Sequence, residues 1–157
     1  MQIRPVRYDH PDARKLEGVV QEEYVERYGE TDVTPLAPEM FDPPGGLYLL
    51  AYDEQDRPVA TGGWRALDRN DEGYEDGDAE IKRMFVVRES RGKGLARRIL
   101  AALETSAREA GRTRMVLETG IHQPEAIALY VSEGYAPATK FGHYRFHDDS
   151  RCYAKPL

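Results

Sequence analysis

Residues 79–119 decide the fold, and they read AEIKRMFVVRESRGKGLARRILAALETSAREAGRTRMVLET. A strand is predicted over residues 79–87, because its apolar run from Met84 to Val87 is typical of a strand buried on both faces. A long helix is predicted over residues 94–110, and Gly111 follows it at the position typical of a helix C-cap. Residues 113–119 predict a second strand. A strand, a helix and a strand in this order indicate a βαβ unit with parallel strands.

Two details of this unit are also predicted. The charged pair of Lys82 and Arg83 breaks the alternation of the first strand, which indicates a β-bulge. Helical spacing predicts an inner helix face made of Ala96, Leu100, Leu103, Ala107 and Ala110.

The rest of the chain adds strands and two helices. A helix is predicted from a cap at Asp9 to Gly29, and another opens at Pro124 and stops at Gly134. Residues 30–46 form a proline-rich loop with a short helical turn around residues 38–41. The further strands are predicted over residues 3–7, 47–53, 135–138 and 151–155, the last two as an antiparallel pair, and over a strand that follows the turn of residues 54–58 and runs through residues 64–67. We therefore predict one α/β domain over residues 1–157, built on a mixed sheet.

The charge distribution narrows the class of ligand. The net charge is −6 and the pI about 5.3, the opposite of the balance of a general nucleic-acid binder. Basic residues nevertheless cluster in one stretch, which holds Lys82, Arg83, Arg88, Arg91, Lys93, Arg97 and Arg98. Such a patch on an acidic protein suits a small polyanion, although a solvated helix face explains the same charges.

Cysteine content and hydropathy set the expected compartment. Cys152 is the single cysteine, so it forms no internal disulfide, and a reducing cytoplasm is expected. One cysteine also disfavours a multi-cysteine zinc site. No apolar run approaches the ~20 residues that span a bilayer, and the first ten residues lack the apolar segment of a secretion signal. We expect no membrane partner and no metal.

The turn before the long helix predicts an anion site. It reads Arg91-Gly92-Lys93-Gly94-Leu95-Ala96, and its glycines allow close approach of a ligand to the backbone. The first N–H groups of a helix have no intrahelical partner and favour anions. A pyrophosphate fits this site. The turn is not a Walker loop, because Gly94 stands where Ser or Thr belongs. A helix start with surface arginines remains the simpler alternative.

A second motif, over residues 123–135, gives the pattern a family resemblance. Residues 91–96 match the (Gln/Arg)-x-x-Gly-x-(Gly/Ala) signature of the GNAT acetyltransferases. Leu129-Tyr130-x-x-x-Gly134-Tyr135 resembles the later Leu-Tyr-x-x-x-Gly-Phe segment of that family. The order and spacing of the motifs agree over residues 79–138. Two departures stand out: Gln123 replaces a frequent asparagine, and Tyr135 replaces the usual phenylalanine.

The resemblance implies the fold and the donor site. It implies a mixed sheet splayed at the coenzyme-binding strand, with acetyl-CoA as co-substrate in the gap. Tyr130 would protonate the departing thiolate, although a buried core tyrosine is the plainer alternative. Backbone and side-chain groups that would bind the coenzyme come from Phe85, Val86, Val87, Arg91, Gly92, Lys93, Gly94, Leu95 and Ala96.

An amine acceptor needs a group that takes its proton, because an alkylamine is mostly protonated at neutral pH. The resemblance makes Glu80 the first candidate, and Glu118, at the end of the next strand, is the second. His122 is a weaker third, and His143 and Tyr144 belong to a late loop that could line the cleft. Glu80 could instead form an ion pair with Lys82 or Arg83.

These expectations combine into one predicted activity. The chain would move an acetyl group from acetyl-CoA to a primary amine, on a small molecule or a peptide, by direct attack in a ternary complex. A module that binds acyl-CoA without turnover, and a nucleotide or nucleic-acid binder, are the rivals. A homodimer is compatible with the resemblance.

Overall fold

The computed structural model describes all 157 residues. Seven strands, three α-helices and two short 3₁₀ turns follow one another along the chain. Their bounds are β1 Gln2–Pro5, α1 Pro11–Tyr28, a 3₁₀ turn Pro38–Phe41, β2 Gly46–Tyr52, β3 Pro58–Leu67, β4 Asp78–Val86, a 3₁₀ turn Arg88–Ser90, α2 Leu95–Glu109, β5 Arg114–Gly120, α3 Pro124–Ser132, β6 Ala136–Pro137 and β7 Ser150–Pro156.

All strands belong to one mixed sheet with the order β1-β2-β3-β4-β5-β7-β6. The β4–β5 pair is parallel and the other pairs are antiparallel. Pairing between β4 and β5 covers only residues 78–80 and 114–116, although the strands continue to Val86 and Gly120. The two strands therefore separate beyond Glu80, which confirms the predicted mixed α/β fold with a splayed sheet.

The predicted bulge lies in β4. Arg83 has a φ of 60°, which is unusual for a residue with a side chain. At this point the β3–β4 register shifts, since Gly63 pairs with Lys82 whereas Thr61 pairs with Phe85. The extra residue turns the Arg83 side chain into the protein, where it is 5% exposed.

Helix α2 covers one face of the sheet. Its buried residues are Leu95, Ile99, Leu100, Leu103, Glu104 and Ala107, and they pack against Trp64 and the inner residues of β2, β4 and β5. The predicted inner face was right at its centre and wrong at its ends, because Ala96 is half-buried and Ala110 is exposed. Ala110 is the C-cap that follows the last helical residue, Glu109, whereas Ala107 in the last turn is buried.

Helix α1 packs on the sheet through Ala13 and Leu16, which join the cluster around Tyr48 and Leu50. The helix ends at Gly29 as predicted, with a φ of 78°. Its N-cap is His10, whose ring accepts a hydrogen bond from the Asp12 N–H, so the predicted cap was wrong. Asp9 instead pairs with Arg7 at 3.0 Å.

Each predicted strand is present, with ends that differ by a few residues. The turn Pro38–Phe41 and the antiparallel pairing of β6 with β7 are confirmed. Cys152 is buried and unpaired, as expected. None of the helices combines the length and the apolar character that crossing a bilayer requires.

Candidate active site

A groove of about 400 Å³ runs along the open edge of β4 toward the start of α2. Its walls come from the end of β4, the turn before α2, and one side of α3. The lining includes Phe85, Val86, Arg91, Gly92, Gly94, Leu95, Ala96, Leu129 and Tyr130. Seven of the nine residues predicted to bind the coenzyme therefore lie on one surface; Val87 and Lys93 do not line it.

One end of this groove is rich in free N–H groups. The six N–H groups from Gly92 to Arg97 donate no hydrogen bond within the protein, and the first helical bond runs from the Arg98 N–H to the Gly94 carbonyl at 3.1 Å. Gly92 and Gly94 have φ values of 79° and 77°, which residues with side chains rarely adopt. This backbone fits a bound anion.

The Arg91 side chain lies across the groove. Its Nε donates to the Val86 carbonyl at 2.9 Å, and its other end pairs with Glu23 at 2.9 Å. The guanidinium also stacks on Phe85, 5.5 Å from the ring centre. Arg91 is thus partly neutralised by α1, and it occupies a backbone oxygen of the strand that was predicted to pair with a ligand.

Val87 faces the sheet. Its N–H donates to the Val59 carbonyl of β3 at 2.9 Å. The N–H of Val87 is therefore not available to a ligand. The backbone of β4 that lines the groove belongs to Phe85 and Val86. Lys93 is exposed at the tip of the turn.

A second cavity, of about 310 Å³, lies where β4 and β5 separate. The end of α1, the loop that follows it, the bulge of β4, the end of β5 and the late loop all contribute to its wall. Its lining includes Tyr24, Tyr28, Glu30, Asp32, Lys82, Arg83, Glu118, Gln123, Tyr130, Tyr144, His147, Asp149 and Ser150.

Tyr130 lines both the groove and the second cavity. Its side chain is 5% exposed, and its hydroxyl makes no hydrogen bond with another protein group, although the ring packs edge-on against Tyr135. Burial raises the pKa of Tyr130. The phenol therefore stays protonated at neutral pH, and its hydroxyl donates no hydrogen bond to the protein.

Of the predicted bases, Glu118 alone lies on the cavity wall. It forms no ion pair, and burial raises the pKa of its carboxyl although Lys82 and Ser150 nearby oppose that effect. A carboxyl group in this state can take up a proton near neutral pH more readily than an exposed glutamate.

Glu80 is buried behind the cavity. Its carboxylate accepts from Arg65 Nε at 2.9 Å and from the Tyr74 hydroxyl at 2.6 Å. Lys82 Nζ is 3.9 Å away, and Arg83 pairs elsewhere. The main ion-pair partner of Glu80 is therefore Arg65, which the sequence pattern did not single out. Glu80 does not line the cavity.

The histidine candidates are less central. His122 is half exposed, 3.6 Å from Asp149, and His143 is exposed; neither lines the cavity. Tyr144 does line it, and its hydroxyl accepts from the Val33 N–H at 2.8 Å.

The first helix, the proline-rich loop and the late loop around residues 141–147 were expected to build the acceptor pocket, but several of its lining residues were not named individually from the sequence. Tyr24 and Tyr28 fit the helical stripe of α1, and Lys82 counted only as part of the basic patch. Spacing indicates that a side chain faces inward, but it does not separate a packed core from the wall of a cavity. His147 and Ser150 lie in the late loop and at the start of β7, where no periodicity guides a prediction.

Comparison with known proteins agrees with this geometry. The sequence profile described as "Acetyltransferase (GNAT) family" matches residues 13–135. An IAA acetyltransferase of Azospirillum brasilense is 43% identical over 83 residues, which cover 53% of this chain and 54% of that protein. The Escherichia coli N-acetyltransferase YjgM is 34% identical over 97 residues, 62% of this chain and 55% of that protein. The chain thus spans about half the length of the curated relatives it matches.

A solved structure has the same fold over nearly the whole chain. A Klebsiella pneumoniae protein described as an acyl-CoA N-acyltransferase superposes with a TM-score of 0.78 at 29% identity, over 99% of this chain and 97% of that one. Because the family profile covers most of the sequence and the fold agrees throughout, the chain belongs to the GNAT family of acetyltransferases.

Proposed function

We propose that this protein is an N-acetyltransferase that moves an acetyl group from acetyl-CoA to an amine within a ternary complex. The observation that carries this proposal is that the groove and the cavity meet at Tyr130. One surface is open to a long phosphorylated donor and the other to a smaller acceptor, and a protonated phenol lies between them.

The groove has the features that coenzyme A requires. Free N–H groups from Gly92 to Arg97 would hold the pyrophosphate, and the positive end of the α2 dipole favours the same charge. The unpaired edge of β4 near Phe85 and Val86 would receive the pantetheine arm as an added strand does. Family membership supports the same donor.

The cavity has a group that can accept the proton of the amine. We propose Glu118 as the base, directly or through a water molecule, because it lines the cavity and is unpaired. Glu80 would act at most by holding Arg65 and Tyr74 behind the wall. This assignment reverses the order in which the sequence ranks the two carboxylates.

The reaction then balances as follows. The neutral amine nitrogen attacks the thioester carbonyl carbon, a C–N bond forms and the C–S bond breaks. One proton of the original ammonium goes to Glu118, and a second goes to solvent as the amide forms. Tyr130 donates its hydroxyl proton to the thiolate and is reprotonated from solvent. Positioning of both substrates would supply much of the rate.

Replacement of Tyr130 by phenylalanine tests this function. Turnover, measured as thiol release from acetyl-CoA with a panel of amines, should fall about a hundredfold, while the affinity for acetyl-CoA measured by calorimetry stays unchanged. Tyr153→Phe is the matched control, because it also removes a hydroxyl from a buried tyrosine but lies away from both surfaces. Thiol release equal to that of the unmodified protein would remove Tyr130 from the mechanism. Tight binding of acetyl-CoA with no release for any amine would favour a binding module instead.

A further inference from the structure

Three polar groups lie on the wall of the second cavity: Lys82 Nζ, which donates no hydrogen bond, the Glu118 carboxylate, which forms no ion pair, and Ser150 Oγ, which lies beside Glu118. From these groups we infer that the acceptor is a free amino acid, whose carboxylate binds Lys82 while its amine faces Glu118. This inference rests on the proposed acetyl transfer and adds the chemical class of the acceptor.

Lys82 is the main reason for a carboxylate on the acceptor. Its side chain is 10% exposed, and its ammonium donates no hydrogen bond. The nearest carboxylate oxygen, Glu80 Oε2, is 3.9 Å away and already accepts from Tyr74. A buried ammonium without hydrogen bonds is costly, and an anionic ligand in the cavity would remove that cost.

The neighbouring charges are already satisfied inside the protein. Arg83 donates to Asp32 at 2.7 Å and to Glu17 at 2.9 Å. The other oxygen of Asp32 accepts from the Thr34 N–H and hydroxyl. Both oxygens of Asp32 thus have donors and Arg83 has two carboxylates, whereas the nearest ion-pair partner of Lys82 is the Glu80 oxygen at 3.9 Å.

Ser150 adds a second donor. Its hydroxyl is buried and is the one buried side-chain polar atom in the structure with no hydrogen-bond partner. This hydroxyl lies beside the Glu118 carboxylate and can orient it toward the amine of the ligand. Strand β4 therefore supplies the cation for the ligand carboxylate, and β7 supplies a hydroxyl beside the base.

Glu118 supplies the opposite charge. Glu118 and Lys82 line the same cavity but form no ion pair with each other. A free cation and a free anion on one wall complement a molecule that carries both charges. The other acids of the wall, Glu30 and Asp149, are exposed, so water screens them. A peptide N-terminus or a simple alkylamine would bring no carboxylate to Lys82.

The test uses sets of three acceptors that share a side chain: the amino acid, its amide and its decarboxylated amine, for alanine, phenylalanine and methionine. Each is assayed by thiol release from acetyl-CoA, and each is titrated by calorimetry into protein saturated with coenzyme A, so that binding is measured without turnover. We expect at least one amino acid to bind and react about tenfold or more better than its amide and its amine.

Lys82→Met removes the charge and keeps the length of the side chain. We expect KM for the amino acid to rise about ten- to a hundredfold, with little change for the decarboxylated amine. Because the same acceptors are assayed with both proteins, the effect of differences between the pKa values of the acceptor amines cancels in the comparison. Lys82→Arg should restore part of the preference, and Lys15→Met, an exposed position on α1, is the control. Unchanged affinity for acetyl-CoA checks that the variants are folded.

The outcomes separate the two proposals. Equal binding and reaction of amino acids and decarboxylated amines, with a ratio that Lys82→Met does not change, would overturn the amino-acid inference and leave acetyl transfer standing. A preference for amino amides would likewise overturn it, in favour of a peptide acceptor. If no amine of any class causes thiol release, the proposed function fails; absence of amino-acid binding in calorimetry would then overturn the inference as well.

Discussion

At the scale of single residues, two side chains from different elements carry the proposed chemistry. Tyr130 lies on α3 and Glu118 on β5, and burial raises the pKa of both groups. The raised pKa keeps the phenol protonated, as a proton donor must be, and makes the carboxylate a stronger base than an exposed glutamate. Neither group is held by an ion pair, so both are free to act on a substrate.

The pH dependence of turnover tests Glu118. The base acts when it is ionised, so kcat/KM should rise with pH through a midpoint above the ordinary glutamate pKa of about 4.3. Glu118→Gln should lower kcat about a hundredfold and remove this limb of the profile. Glu109→Gln, exposed on α2, is the control. A profile that keeps the same limb in Glu118→Gln would assign the base to another group.

At the scale of elements, the start of α2 determines where the donor can bind. The strands on either side of α2 separate after three paired residues, so the groove opens beside the first turn of the helix. Gly94 precedes that turn in the left-handed region of backbone conformation. A side chain there would meet no protein atom within 4 Å, and it would project into the space that the phosphates would occupy.

Replacement of Gly94 by glutamate should abolish binding of acetyl-CoA in calorimetry, because it adds bulk and negative charge at the proposed phosphate site. Gly111→Glu is a matched control: Gly111 ends the same helix with a φ of 80°, and an added Cβ there also meets nothing within 4 Å. Both variants should lose about 1–2 kcal/mol of stability from the strained φ. Retained binding in Gly94→Glu would place the phosphates elsewhere.

At the scale of the whole molecule, Arg83 joins three parts of the chain. The bulge of β4 turns it inward, where it pairs with Glu17 of α1 and with Asp32 of the following loop. These contacts hold α1 and its loop over the cavity. Although burial opposes ionisation, Arg83 holds the pKa of Asp32 below its usual range, so the pair stabilises the fold wherever Asp32 is ionised in both states.

Arg83→Met should therefore lower the free energy of unfolding by about 3 kcal/mol, since it leaves buried carboxylates without a partner. The Asp32 contribution is present above the unfolded pKa of about 3.9 and is lost as the pH falls below it. The free energy of unfolding, measured with urea, should thus fall less between neutral and acid pH in the variant than in the unmodified protein. Arg57→Met breaks an exposed pair and should cost less than about 1 kcal/mol. Equal losses in the two variants would contradict this role of Arg83.

The sequence by itself determined the βαβ unit, the glycine turn and the succession of strands along the chain, because these depend on local periodicity and on backbone freedom at Gly92 and Gly94. Sequence also indicated the bulge, since the charged pair at Lys82 breaks the strand pattern. It did not identify the cap of α1, because His10 competes with Asp9 through a contact that spacing does not show.

Only the tertiary structure decided which carboxylate lies at the cavity and which charges remain free. Glu80 and Glu118 both lie in strands of the βαβ unit, but Arg65 and Tyr74, from separate parts of the chain, hydrogen-bond to Glu80. Lys82 keeps only a 3.9 Å contact with Glu80, because Arg83 binds the other carboxylates nearby. Charge pairing in a folded protein depends on distances between residues far apart in sequence, and local patterns carry no record of those distances.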